Sequence, residues 1–410
     1  MFADNTDGST CPSSISSSMS FISLSPARRS AAPLFLYLFL TATIGVLSFP
    51  IRALFVTQTL GGSTFENGLS FAVPAIISLV VLPIIGDFSD RMRERRLIMT
   101  VGFVVLALSY ALTSIATTAW FVLILVCIAI PFMVAANAQF FAWAQERETE
   151  RFGDKATESG ELRIGFIAGW VVGPAIAGLL LTYGLSYRNI FQIQAVGYLV
   201  MAAAIWLFAR VVVTKPKPKG ENFSWLKWRA VPRNLLLIGL FVALVLSGDI
   251  VRLANLALFI DANISKNPVD LTIAFAATPV VEVPATALCI YLAKRGSKKF
   301  VLGFGFVAAL LHFGLFPFAQ NLTQVVILQA LYAFIPASAL GVGISYAQKC
   351  APDRMGFATS VIFSGQSLAI LLGGSIATLG GLFLSIEMTY FVPLFLILLS
   401  GLIWWKLEEL

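Results

Sequence analysis

Between Ala31 and Trp405 the chain is a string of apolar runs separated by short polar breaks. Each run is long enough to cross the hydrocarbon core of a bilayer, which takes about 20 residues of helix. In lipid the backbone amides of a segment have to be satisfied within that segment, so runs of this kind fold as helices. The pattern predicts spans at 31–58, 64–87, 97–116, 118–144, 162–184, 189–213, 234–261, 268–293, 300–319, 322–348, 356–384 and 386–405. Only 12% of the residues are charged, against about 25% in an ordinary soluble chain. The expected fold class is therefore all-α, a polytopic membrane protein with twelve transmembrane helices.

Alternating the spans places 24 of the 28 Lys and Arg residues on one side. Basic residues in short loops mark the cytoplasmic face, so both termini are expected in the cytoplasm and the chain in an inner-type plasma membrane. The net charge of +7 then belongs beside lipid head groups and gives no support for a nucleic-acid partner. Four cysteines without CxxC spacing and a single histidine imply neither a metal site nor a disulfide framework, and no cofactor is expected. Residues 1–30 are Ser-rich and lack a basic segment followed by an apolar one, which reads as a disordered cytoplasmic tail rather than a signal peptide.

The longest polar break within the membrane region, 214–233, carries Lys215-Pro216-Lys217-Pro218-Lys219-Gly220. Prolines and like charges keep such a segment extended. It divides the spans into six-helix bundles at 31–213 and 234–410. A repeat at a shift of about 200 residues supports that division: Arg52 matches Arg252, Gly165 matches Gly365, Gly173 matches Gly373, and Ile176-Ala177 matches Ile376-Ala377. Two parallel halves of this kind hold a substrate between them near the membrane midplane.

Charges inside spans are the sharpest functional pointers, because each costs about 2.5–3.5 kcal/mol at a helix centre. Arg52, Asp249, Arg252 and Glu282 qualify. Asp249 and Arg252 are i,i+3 neighbours that can pair on one helix face, so a structural ion pair and a coupling site are both open. On the fourth span Gln139 and Trp143 share a face, with Asn137 nearby; Asn255, Gln329, Tyr332 and Gln366 add amide and phenol groups in the second half. Amides beside an aromatic plane suit a polyhydroxylated ligand, and interhelical hydrogen bonding is the alternative for each.

Two loop and helix motifs accompany these charges. Gly86, Asp90, Arg91 and Arg95 lie in the break between the second and third spans, where a carboxylate at a helix end can latch neighbouring elements through charge-assisted bonds. Gly169, Gly173 and Pro174 put small residues and a bend in the fifth span, which favours close helix contact.

Several segments resemble the sugar efflux transporters, the Set-type branch of the major facilitator superfamily. They are Ala136-Asn137-Ala138-Gln139-Phe140-Phe141-Ala142-Trp143, Leu162-Arg163 with Gly169-Trp170-Val171-Val172-Gly173-Pro174, and Val281-Glu282-Val283-Pro284 with the Lys294-Arg295 loop. The likeness spans most of residues 31–405. It implies two pseudo-symmetric six-helix bundles, no enzymatic activity, and proton-coupled export of a small sugar by a monomer solvated by membrane lipid. Glu282 would carry the proton, with Asp249 and Arg252 in the coupling. Multidrug efflux is the alternative, and a non-transporting sensor is a third reading.

Overall fold

The computed structural model describes residues 26–91, 95–152, 159–208, 231–352 and 355–409. Among the described residues, eleven helical segments are long and apolar enough to cross a membrane, from Pro33–Thr59 to Ile386–Lys406. The helix Thr64–Arg91 completes the twelve spans. The first helix begins at Pro26, so the last residues assigned to the tail by sequence are helical. Residues 1–25, and 214–230 of the linker, lie outside the described residues.

Local chemistry sets the helix starts at one end of the molecule. Asn267, Asn321 and Ser385 each accept a hydrogen bond from a backbone N–H in the first turn of the eighth, tenth and twelfth spans, satisfying donors that a helix leaves unpaired. The fifth span closes on Gly184 at φ +84°. There the Gly184 N–H reaches the Leu181 carbonyl and the Leu185 N–H reaches Leu180, a left-handed cap that disfavours a side chain.

Helix pairing is the same in both halves. In the first, span 1 packs on 5, span 3 on 4 and 6, and span 2 on 4; in the second, 7 packs on 11, 9 on 10 and 12, and 8 on 10. The repeated glycines explain the first of these pairs. A Cβ on Gly165, Gly169 or Gly173 would lie within 2.7 Å of the Phe35, Phe39 or Thr43 carbonyl of the first span. Gly365 and Gly373 stand equally close to the Gly239 and Ser247 carbonyls of the seventh. Backbone contact of this kind is how helices associate in lipid, where apolar burial gives no drive. Aromatic rings fill the first bundle, running Tyr37, Phe103, Tyr198, Tyr110, Phe191 and Phe55 at centroid spacings of 4.9–6.4 Å. Outward-facing Leu207, Phe300 and Trp405 are largely exposed, as a lipid-facing surface requires.

The halves meet through spans 2 and 11 and through spans 5 and 8. Among the described residues, close contacts gather at the end opposite the basic loops. Gly68 abuts the backbone of Thr378, Gly381 that of Thr64 and Phe65, and Gly178 the side chain of Thr272. Among the described residues, four hydrogen bonds cross there. Gln58 donates to Asp261 (2.7 Å), Asn67 to the Ala254 carbonyl (2.9 Å), Thr64 to the Gly381 carbonyl (3.0 Å) and Thr272 to the Pro174 carbonyl (3.2 Å).

Candidate functional site: a cavity between the two bundles

Spans 1 and 7 are each broken at the same depth. In the first, the helix ends at Val46 and restarts at Phe49. Pro50 lacks the N–H that would bond the Val46 carbonyl, so the turn opens there and Pro50 begins a new helix. In the seventh, helix Arg233–Val245 stops and Gly248–Asn263 follows. Ser247 turns both its N–H and its hydroxyl back to the Leu244 carbonyl. Gly248 faces the Phe313 ring so closely that a Cβ would collide with it. The breaks point residues 49, 249 and 252 toward the space between the bundles.

That space is a cavity of about 380 Å³, within the range of small-molecule sites. Its two sides differ in chemistry. Spans 1 and 5 contribute Val46, Phe49, Phe166, Ile167, Trp170 and Pro174. The Phe49 and Trp170 rings are 5.4 Å apart, and Phe166 lies 6.5 Å from Trp170. Opposite them, spans 7, 8, 10 and 11 set Asp249, Arg252, Thr278, Glu282, Tyr332 and Gln366 among apolar side chains such as Leu246, Leu253, Phe275 and Leu340, so the polar groups of the lining, the Trp170 indole apart, come from the second half.

Arg252 organises the polar side. One of its terminal nitrogens donates to Asp249 Oδ1 at 3.0 Å, and the other to Gln329 Oε1 at 3.3 Å. The guanidinium lies 4.1 Å from the Tyr332 ring centroid, a cation–π contact worth about 2 kcal/mol where water is excluded. Thr278 also donates to Gln329 Oε1, at 3.1 Å. Asp249 is 38% exposed to the cavity while Arg252 is only 7% exposed, so the pair presents its carboxylate and hides its cation. Among the described residues, Arg252 Nε and Gln329 Nε2 have no hydrogen-bond partner. Glu282 follows Thr278 by one helical turn and is half-buried in the cavity wall.

The other residues singled out by sequence fall elsewhere. Gln329 is fully buried behind Arg252. Asn255 is buried, with its Nδ2 unpartnered among the described residues. Trp143 is packed on Phe140 in the core of the first bundle, and Gln139 is buried on the same helix; neither these two nor the half-buried Asn137 lines this cavity. Arg52 turns away from it, into the first bundle. Gly169 and Gly173 serve helix contact, and Pro174 both lines the cavity and accepts the Thr272 bond. Gly86, Asp90 and Arg91 end the second helix and Arg95 begins the third; their side chains, with residues 92–94, lie outside the described residues. His312, inside the second bundle, bonds the Leu328 carbonyl through Nδ1 at 2.8 Å.

Sequence reasoning missed the aromatic wall. Trp170 follows Gly169 directly, and the glycine face that seats span 5 on span 1 fixes where the indole points. That signal was in the spacing.

Residues 34–295 match the Major Facilitator Superfamily. Sugar efflux transporter A of Dickeya chrysanthemi is 25% identical over 341 residues, which cover 83% of this chain and 86% of that protein. Sugar efflux transporter C of Escherichia coli K12 is 23% identical, over 84% of this chain and 88% of its own length. Among solved structures, a point mutant of the nucleoside transporter NupG aligns with a TM-score of 0.78 at 14% identity, covering 92% of this chain and 99% of that one; that likeness concerns the fold. A family match across well over half the chain, on two six-helix bundles around a central cavity, identifies a multi-pass membrane transporter of a small molecule and not an enzyme: the chain belongs to the Major Facilitator Superfamily.

Proposed function

We propose that this transporter exports a small sugar or sugar derivative across an inner-type membrane, by alternating access and in exchange for protons. The observation that carries the reading is the two-sided cavity. A sugar ring has apolar C–H faces and a rim of hydroxyls. Phe49, Phe166 and Trp170 offer flat apolar surface for the faces, and Thr278, Tyr332, Gln366 and the Asp249–Arg252 pair offer donors and acceptors for the rim. The similarity to sugar efflux transporters A and C supports the same cargo class.

With the basic loops on the cytoplasmic side, the tight contacts of Gly68, Gly178 and Gly381 close the outer end. Cargo taken up from the cytoplasm leaves when these contacts part. Glu282 carries the proton in this scheme: loaded from outside as cargo departs, it discharges inside before the next molecule binds. The Asp249–Arg252 pair sets the charge of the wall beside it. The protein works as a monomer in contact with membrane lipid.

The test is counterflow in proteoliposomes against labelled mono- and disaccharides at two pH values. Sugar-dependent counterflow is expected, with uphill export driven by a proton gradient. Glu282→Gln should lose gradient-driven export and keep downhill exchange; undiminished uphill export in that variant would overturn the coupling assignment. The aromatic wall also favours a second reading, efflux of amphipathic compounds. Reduced accumulation of a lipophilic dye in expressing cells, without sugar counterflow, would replace the first reading with the second.

A further inference from the structure

Gln329 does not line the central cavity; it is fully buried on span 10, behind Arg252. Its amide oxygen accepts from Arg252 Nη1 at 3.3 Å and from the Thr278 hydroxyl at 3.1 Å, a hydroxyl that the Gln329 backbone carbonyl shares. A guanidinium has no acceptor, so the oxygen and not the NH2 group has to face it. Thr278 is on span 8 and Arg252 on span 7, so one side chain ties three helices at a point. At the repeat offset the first half has Ala129, beside Arg52, which offers no acceptor.

The direction of that bond matters because Arg252 is permanently charged. Asp249, on the cavity wall, draws the guanidinium outward, and Gln329 draws it back. The Tyr332 ring supports it at 4.1 Å. Under these restraints the carboxylate is 38% exposed and the cation 7%. Glu282 lines the same wall. Cargo in the cavity therefore meets carboxylate before it meets cation. Without the Gln329 oxygen, Arg252 Nη1 becomes a buried donor lacking its acceptor, a costly state that a move toward the cavity relieves.

We propose that Gln329 is a positioning residue that sets the charge of the cargo. By holding Arg252 inward it leaves a carboxylate-faced wall that excludes acidic and phosphorylated sugars and admits neutral ones. Exclusion by like charge discriminates more strongly than loss of a single contact. The cargo half of this inference rests on the sugar-export reading; the restraint on Arg252 does not.

The experiment compares counterflow of labelled glucose with that of glucuronate, the same ring with a carboxylate in place of its hydroxymethyl group. The wild type is expected to carry glucose and reject glucuronate. Gln329→Met, of equal length but without the acceptor, should raise the glucuronate-to-glucose ratio about ten-fold. Gln329→Glu keeps the acceptor and should keep the wild-type ratio, which a mere loss of packing would not reproduce. Should Gln329→Met fail to fold, Gln329→Asn, which withdraws the oxygen by one methylene, should move the ratio the same way. An arginine-directed dicarbonyl reagent adds a reading independent of cargo: Arg252 should be protected in the wild type and labelled in Gln329→Met. Equal Arg252 labelling in both, or a wild type that carries glucuronate as readily as glucose, overturns the proposal. Variant-dependent labelling with no counterflow of either sugar sustains the restraint on Arg252 and overturns the sugar reading instead.

Discussion

Arg52 and Arg252 occupy matching places in the two halves, each a few residues past a helix break and each with an aromatic ring 4.1 Å from its guanidinium. Their surroundings nonetheless differ. Arg252 has Asp249 at 3.0 Å and Gln329 at 3.3 Å and borders the central cavity. Arg52 has no carboxylate within ion-pair distance among the described residues and faces a small hollow within its own bundle. One substitution between the repeats, Phe49 against Asp249, accounts for much of this. The phenylalanine builds an apolar cavity wall with Trp170, and the aspartate builds a charged one with Arg252. A duplicated scaffold has kept its helix contacts and divided its chemistry.

The largest expected effect tests the charged side. Breaking a buried ion pair costs about 3–5 kcal/mol, and the exposure of Asp249 to the cavity reduces this to about 2 kcal/mol. Asp249→Ala should therefore lower the unfolding midpoint by several degrees, while the double variant Asp249→Leu/Arg252→Met should recover most of the loss. A single variant as stable as the parent would show that the pair carries no stability. A smaller effect is expected on the apolar side. Trp170→Ala removes stacking worth about 1 kcal/mol and should raise the half-saturating sugar concentration roughly five-fold, with little change in melting. Unchanged affinity would remove the indole from the cargo site. The smallest effect concerns Arg52, which does not touch the cavity: Arg52→Gln should leave the half-saturating sugar concentration within about two-fold of the parent. A larger change would restore Arg52 to the cargo site and dissolve the contrast.

The twelve spans were legible because lipid imposes a length and a composition that hydropathy reads directly. The fifth-span and eleventh-span glycines were legible too, since close helix approach demands small residues at fixed spacing. Side-chain direction was harder. Arg52 and Arg252 look equivalent in a sequence, and only the packing around residues 46–52 and 246–252 separates a cavity residue from an interior one. Gln329 and Trp143 have the right chemistry for a sugar, but helical periodicity does not say whether a polar or aromatic face meets a void or a neighbouring helix. Gln329 meets Arg252 and Thr278; Trp143 meets Phe140. Phe49 and Trp170 were overlooked for the converse reason, because aromatic residues in a membrane chain are ordinarily filler.

The lopsided cavity also bears on how cargo moves. Apart from the Trp170 indole, the side chains that spans 1 and 5 place there can neither donate nor accept a hydrogen bond. A passenger gripped through its hydroxyls would thus be moored almost entirely to one bundle, with the indole N–H the single polar hold on the other. If the bundles rock as proposed, the first would slide past such a passenger on a greasy face with at most one polar bond to break, and the second bundle would be the keeper of the load.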